Sequence, residues 1–400
     1  MSAAGKHSQP YPWEQRKLGE IADVSSGTSI DSRATHGRNR VTRIETIANG
    51  EIDYKHIGWT NENIDPRYNL KINDILYSNI NSIDHIGKNA IIKTLPFPLY
   101  HGMNLLRIVP RINSLFMFYS LNTIEHRIWA KSHANKAVSQ ASINQSTLNN
   151  QPFKVPKLEE QEKIGQLFQF LDKTITLHEE KQRQLERLKK ALLQKMFADK
   201  TGYPALRFKG FTEKWEQRKL GEIATIVGGG TPSTKNPEYW DGDINWYSPA
   251  EIGNQIYIEK SERQITELGL KKSSAKLLPV GTVLFTSRAG IGKTAILNKE
   301  ACTNQGFQSI IPRSKMLNSY FLFSRTNSLK QYGETMGSGS TFVEVSGKQM
   351  SKMPLFIPNI NEQSKIAKLF QSLDRTITLH DKKIQYLKQL KRGLLQKMFV

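Results

Sequence analysis

The chain of 400 residues carries 57 Lys and Arg against 36 Asp and Glu, a net charge of +21, with 38% apolar residues and one cysteine. That apolar fraction supports packed cores and excludes a disordered chain. The lone Cys302 excludes a disulfide framework and any multi-Cys zinc site, and the charge points to a polyanionic partner. Residues 1–12 lack the apolar core of a signal peptide. No apolar run approaches the roughly 20 residues that span a bilayer, so the expected location is the cytoplasm.

After the 1–12 tail, "WEQRKLGEIA" opens at residue 13 and recurs letter for letter at 215, an offset of 202 residues. Strand-like runs follow it at 74–80, 89–95 and 104–110, then a helical pattern at 113–133. A polar loop covers 136–148, and the Pro-bounded "PFKVP" (152–156) leads into the stretch 159–197. This stretch matches 361–399 at the same offset, with 24 of 39 positions identical.

In the second copy Phe370, Leu373, Ile377, His380, Ile384, Leu387 and Leu394 follow an alternating 4-3 spacing broken by Lys391. The first copy follows it through Phe168, Leu171, Ile175, His178, Leu185 and Leu192, with Gln182 polar on the seam. That is the apolar seam of a coiled coil. Each stretch predicts a helix roughly 58 Å long at 1.5 Å per residue. The natural cover for each seam is the other copy, packed antiparallel. The two seam histidines have no Cys, Asp or second His in ligand register and read as packed core histidines.

The linker 198–214 holds Gly202, Pro204 and Gly210, enough to turn the chain. Beyond it the second half repeats the plan with different residues. Strand-like runs lie at 281–288, 294–298 and 307–312, a helical pattern at 318–336, a small-residue loop at 337–350 and "PLFIP" at 354–358. Segments 23–150 and 225–352 share little besides length, so two related, dissimilar heads sit on one duplicated frame. Basic residues exceed acidic ones by 18 to 12 over 13–158 and by 17 to 12 over 215–360. Such dispersed charge suits an extended duplex better than a single phosphate pocket.

No catalytic array is visible. "SRAGIGKTA" (287–295) has Ser287 where a phosphate loop needs its first Gly, and it is followed by a strand-like run. "VGGGTPS" (227–233) fails the dinucleotide spacing and reads as a flexible loop. HExxH, GxSxG and the [DN]PP[YF] methyltransferase tetrapeptide are absent; Gln151 breaks the superficially similar "NQPF".

Phosphate contacts call for cations and small donors, and base edges for Arg, Lys, Asn, Gln, Ser or Thr. The candidates in the first head are Arg38, Arg40, Arg43, Ser78, Asn79, Lys88, Lys136, Ser139, Gln140 and Asn144. In the second they are Ser233, Lys235, Trp246, Ser248, Arg288, Lys293, Gln305, Ser338, Ser340 and Thr341. The loops 136–144 and 337–341 are favoured because small polar groups lie beside basic flanks. The residues alone leave three readings open: a duplex-DNA reader, a coiled-coil scaffold whose basic heads bind RNA or acidic proteins, and an enzyme with an unrecognised site.

The doubled "WEQRKLGEIA", the doubled "EQxKI…LF…LD…ITLH…LLQKMF" and the variable heads between them resemble the specificity (S) subunit of type I restriction-modification systems, over essentially the whole chain. "GGGTPSTKNPEYWDGDINWYSP" (228–249) and "GTVLFTSRAGIGKTAI" (281–296) are similar to that family's second target recognition domain. The resemblance implies an α+β chain with a pseudo-twofold internal repeat. Target recognition domains would occupy 13–158 and 215–360, and spacer helices forming an antiparallel coiled coil would occupy 159–197 and 361–400. It implies a non-catalytic subunit that reads a bipartite, asymmetric site in double-stranded DNA and docks two modification (M) methyltransferase subunits, joined by restriction (R) subunits. S-adenosylmethionine, ATP and Mg would belong to those partners and no cofactor or metal to this chain.

Overall fold

The "WEQRKLGEIA" repeat forms the same small unit in both halves of a computed structural model that describes residues 13–29, 34, 36–48, 50–103, 105–136, 140–253, 255–288, 290–337 and 344–399. A strand (Glu14–Lys17; Glu216–Lys219) enters one helical turn (Leu18–Ile21; Leu220–Ile223) and leaves as a second strand (Ala22–Ser26; Ala224–Gly228). The turn is closed from within the motif: Glu20 accepts from the Lys17 N–H, and Glu222 from that of Lys219, at 3.3 Å in each case. Leu18, Ile21, Leu220 and Ile223 point into the cores. The first strand pairs antiparallel with the Pro-bounded run, Pro152–Val155 in one half and Pro354–Ile357 in the other.

The heads share topology despite their sequences. The central sheet of the first runs in the order Ala22–Ser26, Leu106–Pro110, Ile75–Tyr77, Asn89–Ile91. The second runs Ala224–Gly228, Gln308–Pro312, Val283–Phe285, Thr294–Leu297, with Tyr257–Ile258 added in parallel at the end. Each predicted helical pattern is broken into two helices, Ser114–Ser120 with Ile124–His133, and Ser319–Phe323 with Thr326–Gly337. Asn113 and Asn318 cap the first member of each pair through their side-chain oxygens. The polar loops contain short helices that the sequence reading missed, Gln145–Asn149 and Gly347–Ser351, because five residues give no measurable period.

Two helices of the expected length follow, Leu158–Lys195 and Ile360–Met398. The chain divides into two compact units, residues up to 180 with those from 381 onward, and residues 181–380, so each long helix contributes to both. Within the first unit the helical segments run antiparallel: Lys391 pairs with Asp172 at 2.5 Å and Lys388 with Glu179 at 2.7 Å. Phe168, Leu171, Ile175 and Leu387 join the core beneath the head, and Ile384 is also buried. Within the second unit Lys189 pairs with Asp374 at 2.5 Å, and Phe197 stacks on Phe370 at 5.9 Å. His178, Leu185, Leu192, Leu373, Ile377, His380 and Leu394 are half-buried.

The repeated letters acquire definite jobs. Gln161 and Gln363, the Gln of each "EQxKI", donate to the carbonyls of Pro156 and Pro358 and accept from the backbone N–H of Asn113 and Asn318. They fasten each long helix to its head. The preceding glutamates diverge. Glu160 accepts from the Trp13 indole at 3.2 Å, whereas Glu362 is fully buried and held by both arms of Arg207 at 2.7 Å. Arg207 comes from the linker, which exists once in the chain, so the equivalent Trp215 indole nitrogen is left without a partner. No helix among the described residues is long and apolar enough to cross a membrane.

Candidate nucleic-acid interface

In the second head the glycine-rich stretch is pinned. A Cβ on Gly229 would lie 1.9 Å from the Asn304 carbonyl oxygen, so only glycine permits this approach. The Gly230 N–H donates to Thr303 at 2.8 Å, and the indoles of Trp246 and Trp240 donate to the carbonyls of Gly230 and Ser233 at 2.8 and 3.1 Å. The sequence reading expected a flexible loop, because glycines chosen for close packing look the same in sequence as glycines chosen for freedom. Ser233 and Lys235 ride exposed on this anchored loop.

Beside it, "SRAGIGK" is a hairpin between Val283–Phe285 and Thr294–Leu297 rather than a phosphate loop. The Thr286 hydroxyl donates to Gly290 and accepts from the Lys293 N–H, leaving Arg288 half-buried and Lys293 exposed at the turn. Gln305 is exposed and accepts from Thr231 at 2.5 Å, which ties the glycine stretch to the loop after Ala301–Thr303. Ser248 precedes a short turn over Pro249–Glu251, and its N–H donates to Glu251. Trp246 belongs to the support: it is buried against Trp240, Ile265 and Cys302, and its one donor is used internally. Burial pushes the Cys302 thiol up to about 12, consistent with a packing role.

In the first head Arg38 is exposed, while Arg40 is half-buried and Arg43 lies 3.9 Å from Glu45. Ser78 and Asn79 are buried: the Ser78 hydroxyl accepts from Asn81, and the Asn79 amide donates to Ile143 at 3.3 Å. Lys88, Lys136 and Gln140 are exposed; Asn144 is also exposed but caps Gln145–Asn149. Ser139, Ser338, Ser340 and Thr341 lie outside the described residues.

Two features were not legible in the sequence. A cleft of about 340 Å³ in the first head is lined by Ser25, Ser26, Arg67, Tyr68, His101 and Arg107. Arg107 is anchored there by Asp74 at 2.6 Å, and burial raises the Asp74 carboxyl despite that partner. The other feature is Arg263, exposed with its guanidinium 3.6 Å from the Trp240 ring; strand pairing brings them together from 23 residues apart, so neither residue signals the other in sequence.

His101 and His126 couple the first unit to pH. His101 is buried and lies 2.8 Å from the Leu105 carbonyl, while His126, half-buried, packs in a tilted arrangement against Phe153 at 4.3 Å. Desolvation lowers each to about 4 from an ordinary 6.5. The unfolded chain therefore takes up protons first as pH falls below 6.5, and folding stability is lost between 6.5 and 4. We expect about 2 kcal/mol lost per histidine between pH 7 and pH 5, read as a falling unfolding temperature of the first unit, with His126→Gln removing part of the slope. A flat profile over this window would exclude neutral, desolvated histidines.

The profile of the type I restriction modification DNA specificity domain matches twice, at residues 10–187 and 212–389. The putative type I restriction enzyme MjaX specificity subunit of Methanocaldococcus jannaschii is 29% identical over 401 residues, spanning 96% of this chain and 92% of that protein. The EcoR124I/EcoR124II specificity subunit of Escherichia coli is 26% identical over 298 residues, 69% of each. In fold, the crystal structure of a type I restriction-modification system S subunit from M. genitalium superposes with a TM-score of 0.63 at 16% identity, covering 99% of this chain and 98% of that one. With two copies of the domain filling most of its length, the chain belongs to the type I restriction modification DNA specificity family.

Proposed function

We propose that this chain is the specificity subunit of a type I restriction-modification complex, reading a bipartite, asymmetric site in double-stranded DNA without catalysing a reaction itself. The observation that carries this is a duplicated frame, exact over "WEQRKLGEIA" and identical at 24 of 39 positions in the long helices, holding two heads of one topology and unlike surfaces. One frame used twice suits two equivalent protein partners, and unlike heads suit two different half-sites.

The proposed partners are two adenine methyltransferase subunits, joined by ATP-driven restriction subunits in the full complex. S-adenosylmethionine, ATP and Mg are assigned to those subunits and none to this chain, and the cytoplasm is its place of work. The outward faces of the long helices support equivalent docking. Leu177 and Leu379, 202 residues apart, are 65% and 58% exposed, and Leu188 and Leu390 are 48% and 37% exposed. Repeated apolar groups left in water at matching positions suit two copies of one partner.

The test is methylome sequencing of a strain expressing the chain with its methyltransferase subunits. The expected result is methylated adenine in one bipartite motif, with exchange of residues 225–352 altering one half only. The complex should also bind duplex DNA with an affinity that falls steeply with salt. Methylation without a bipartite motif, or exchange altering both halves, would overturn the reading.

A further inference from the structure

In each head an arginine sits on a strand directly across from a tryptophan of its antiparallel neighbour. In the first head Asn39–Val41 pairs with Gly58–Thr60, placing Arg40 opposite Trp59. In the second head Arg263–Ile265 is the edge strand of a three-stranded sheet with Trp240–Tyr247 and Ala301–Thr303, and its antiparallel pairing with Trp240–Tyr247 places Arg263 opposite Trp246. These positions are unrelated by the 202-residue repeat, and the order along the chain is reversed: arginine precedes tryptophan in one head and follows it in the other. The two heads thus reach one arrangement from sequence outside the duplicated frame.

The clamps are firm. The Arg40 guanidinium lies 4.6 Å from the Trp59 ring and 4.2 Å from that of Phe97, which is itself held edge-on by Tyr54 at 5.5 Å. Arg263 lies 3.6 Å from Trp240 and 6.0 Å from Trp246, and both indoles are fixed by their bonds to Ser233 and Gly230. Among the described residues no carboxylate lies within ion-pair distance of either arginine, whereas Arg16, Arg67, Arg107, Arg111, Arg207 and Arg218 all have one.

An aromatic ring against a guanidinium face fixes its plane and leaves its N–H groups to hydrogen-bond edge-on. The Arg40 Nε is buried without a partner, so its two terminal nitrogens are the ones assigned to recognition. Two parallel N–H donors match the O6 and N7 acceptors that guanine displays in the major groove. Phosphate offers two acceptors as well, but anchoring to a backbone needs charge more than a fixed plane, and the exposed Arg38 and Lys235 supply that charge. We infer that Arg40 and Arg263 are specificity-determining residues, each reading one guanine in its own half-site through the major groove. This rests on the DNA-specificity reading proposed above.

The test selects duplexes from a fully randomised library with the full-length chain assembled with its methyltransferase subunits, comparing wild type with Arg40→Lys and Arg263→Lys. Lysine keeps the charge and loses the fork. Arg40→Met and Arg263→Met, which keep the stem over the aromatic rings, provide a second set should a lysine variant fold poorly. The expected result is a guanine preference in each half-site of wild type. Each variant should flatten one such position, in a different half, by about ten- to a hundredfold, while affinity for unselected duplex changes less than about twofold. Unaltered preferences in both variant sets, or equal losses on selected and unselected duplex, would overturn the inference and leave the DNA-specificity reading standing. Failure of wild type to enrich any bipartite sequence would overturn both.

Discussion

Replacing Asp374 by alanine is expected to lower the stability of residues 181–380 by about 3–5 kcal/mol, the range for breaking one side of a buried ion pair. Asp374 is buried, with Lys189 at 2.5 Å on one oxygen and the Tyr320 hydroxyl donating at 2.8 Å to the other. Removing the carboxylate takes the acceptor from the buried Tyr320 phenol and leaves the Lys189 ammonium, 29% exposed, without its partner. Burial, reinforced by Asp374, holds the Tyr320 phenol well above its ordinary range, so it stays a donor at any working pH. Hydrogen-exchange protection of the 181–197 and 360–380 helical segments is the measurement, and a loss below about 1 kcal/mol would show that the pair contributes little.

The same triad stands in the first unit as Tyr119, Asp172 and Lys391, with bonds of 2.7 and 2.5 Å. Asp172 is 24% exposed there against 9% for Asp374, so Asp172→Ala is expected to cost less, about 1–3 kcal/mol. Replacing the whole second triad with apolar groups of similar volume, by combining Asp374→Leu, Lys189→Met and Tyr320→Phe, should restore most of the stability. The pair's distinctive contribution would then be register, because a seam of leucines alone tolerates sliding.

The triads also mark where sequence reasoning stopped. The 4-3 spacing gave both long helices within a residue or two at each end, because 39 residues of period dominate any local noise. Lys391 appeared only as a break in that spacing, since its partner Asp172 is 219 positions away. The small unit built by "WEQRKLGEIA" was likewise hidden: a four-residue strand and a four-residue helix are too short for a period, and identity between copies reveals duplication but not shape. In the heads, residue type alone nominated Arg40 along with Ser78 and Trp246. Only strand pairing separates a clamped surface arginine from a buried serine and a supporting indole. Arg263 was missed because nothing local distinguishes it from other basic residues on short strands.

Phe197→Ala is expected to cost the second unit about 3–5 kcal/mol, the usual range for emptying an aromatic core site. Phe197 ends the first copy of "LLQKMF", yet its neighbours belong to the second half: Trp215 at 6.2 Å, Phe321 at 5.3 Å and Phe370 at 5.9 Å. Its ring also covers the guanidinium of the half-buried Arg325 at 4.9 Å, a cation whose pKa burial lowers and whose Nε is buried without a partner. Truncation removes both the packing and the aromatic face against this charge. Phe399 mirrors it in the first unit, packing on Trp13, Phe116 and Phe168 at 6.2, 5.3 and 5.8 Å. Each variant should therefore weaken the half that does not contain it in sequence. Phe197→Ala should lower hydrogen-exchange protection in the core around Trp215 and Phe370 while that around Trp13 and Phe116 stays unchanged, and Phe399→Ala should do the reverse. Loss confined to the sequence half carrying the substitution would contradict this crossed packing, which gives a reason for both copies of "LLQKMF" and both opening tryptophans to stay the same: each helix end must fit the entrance of the other half.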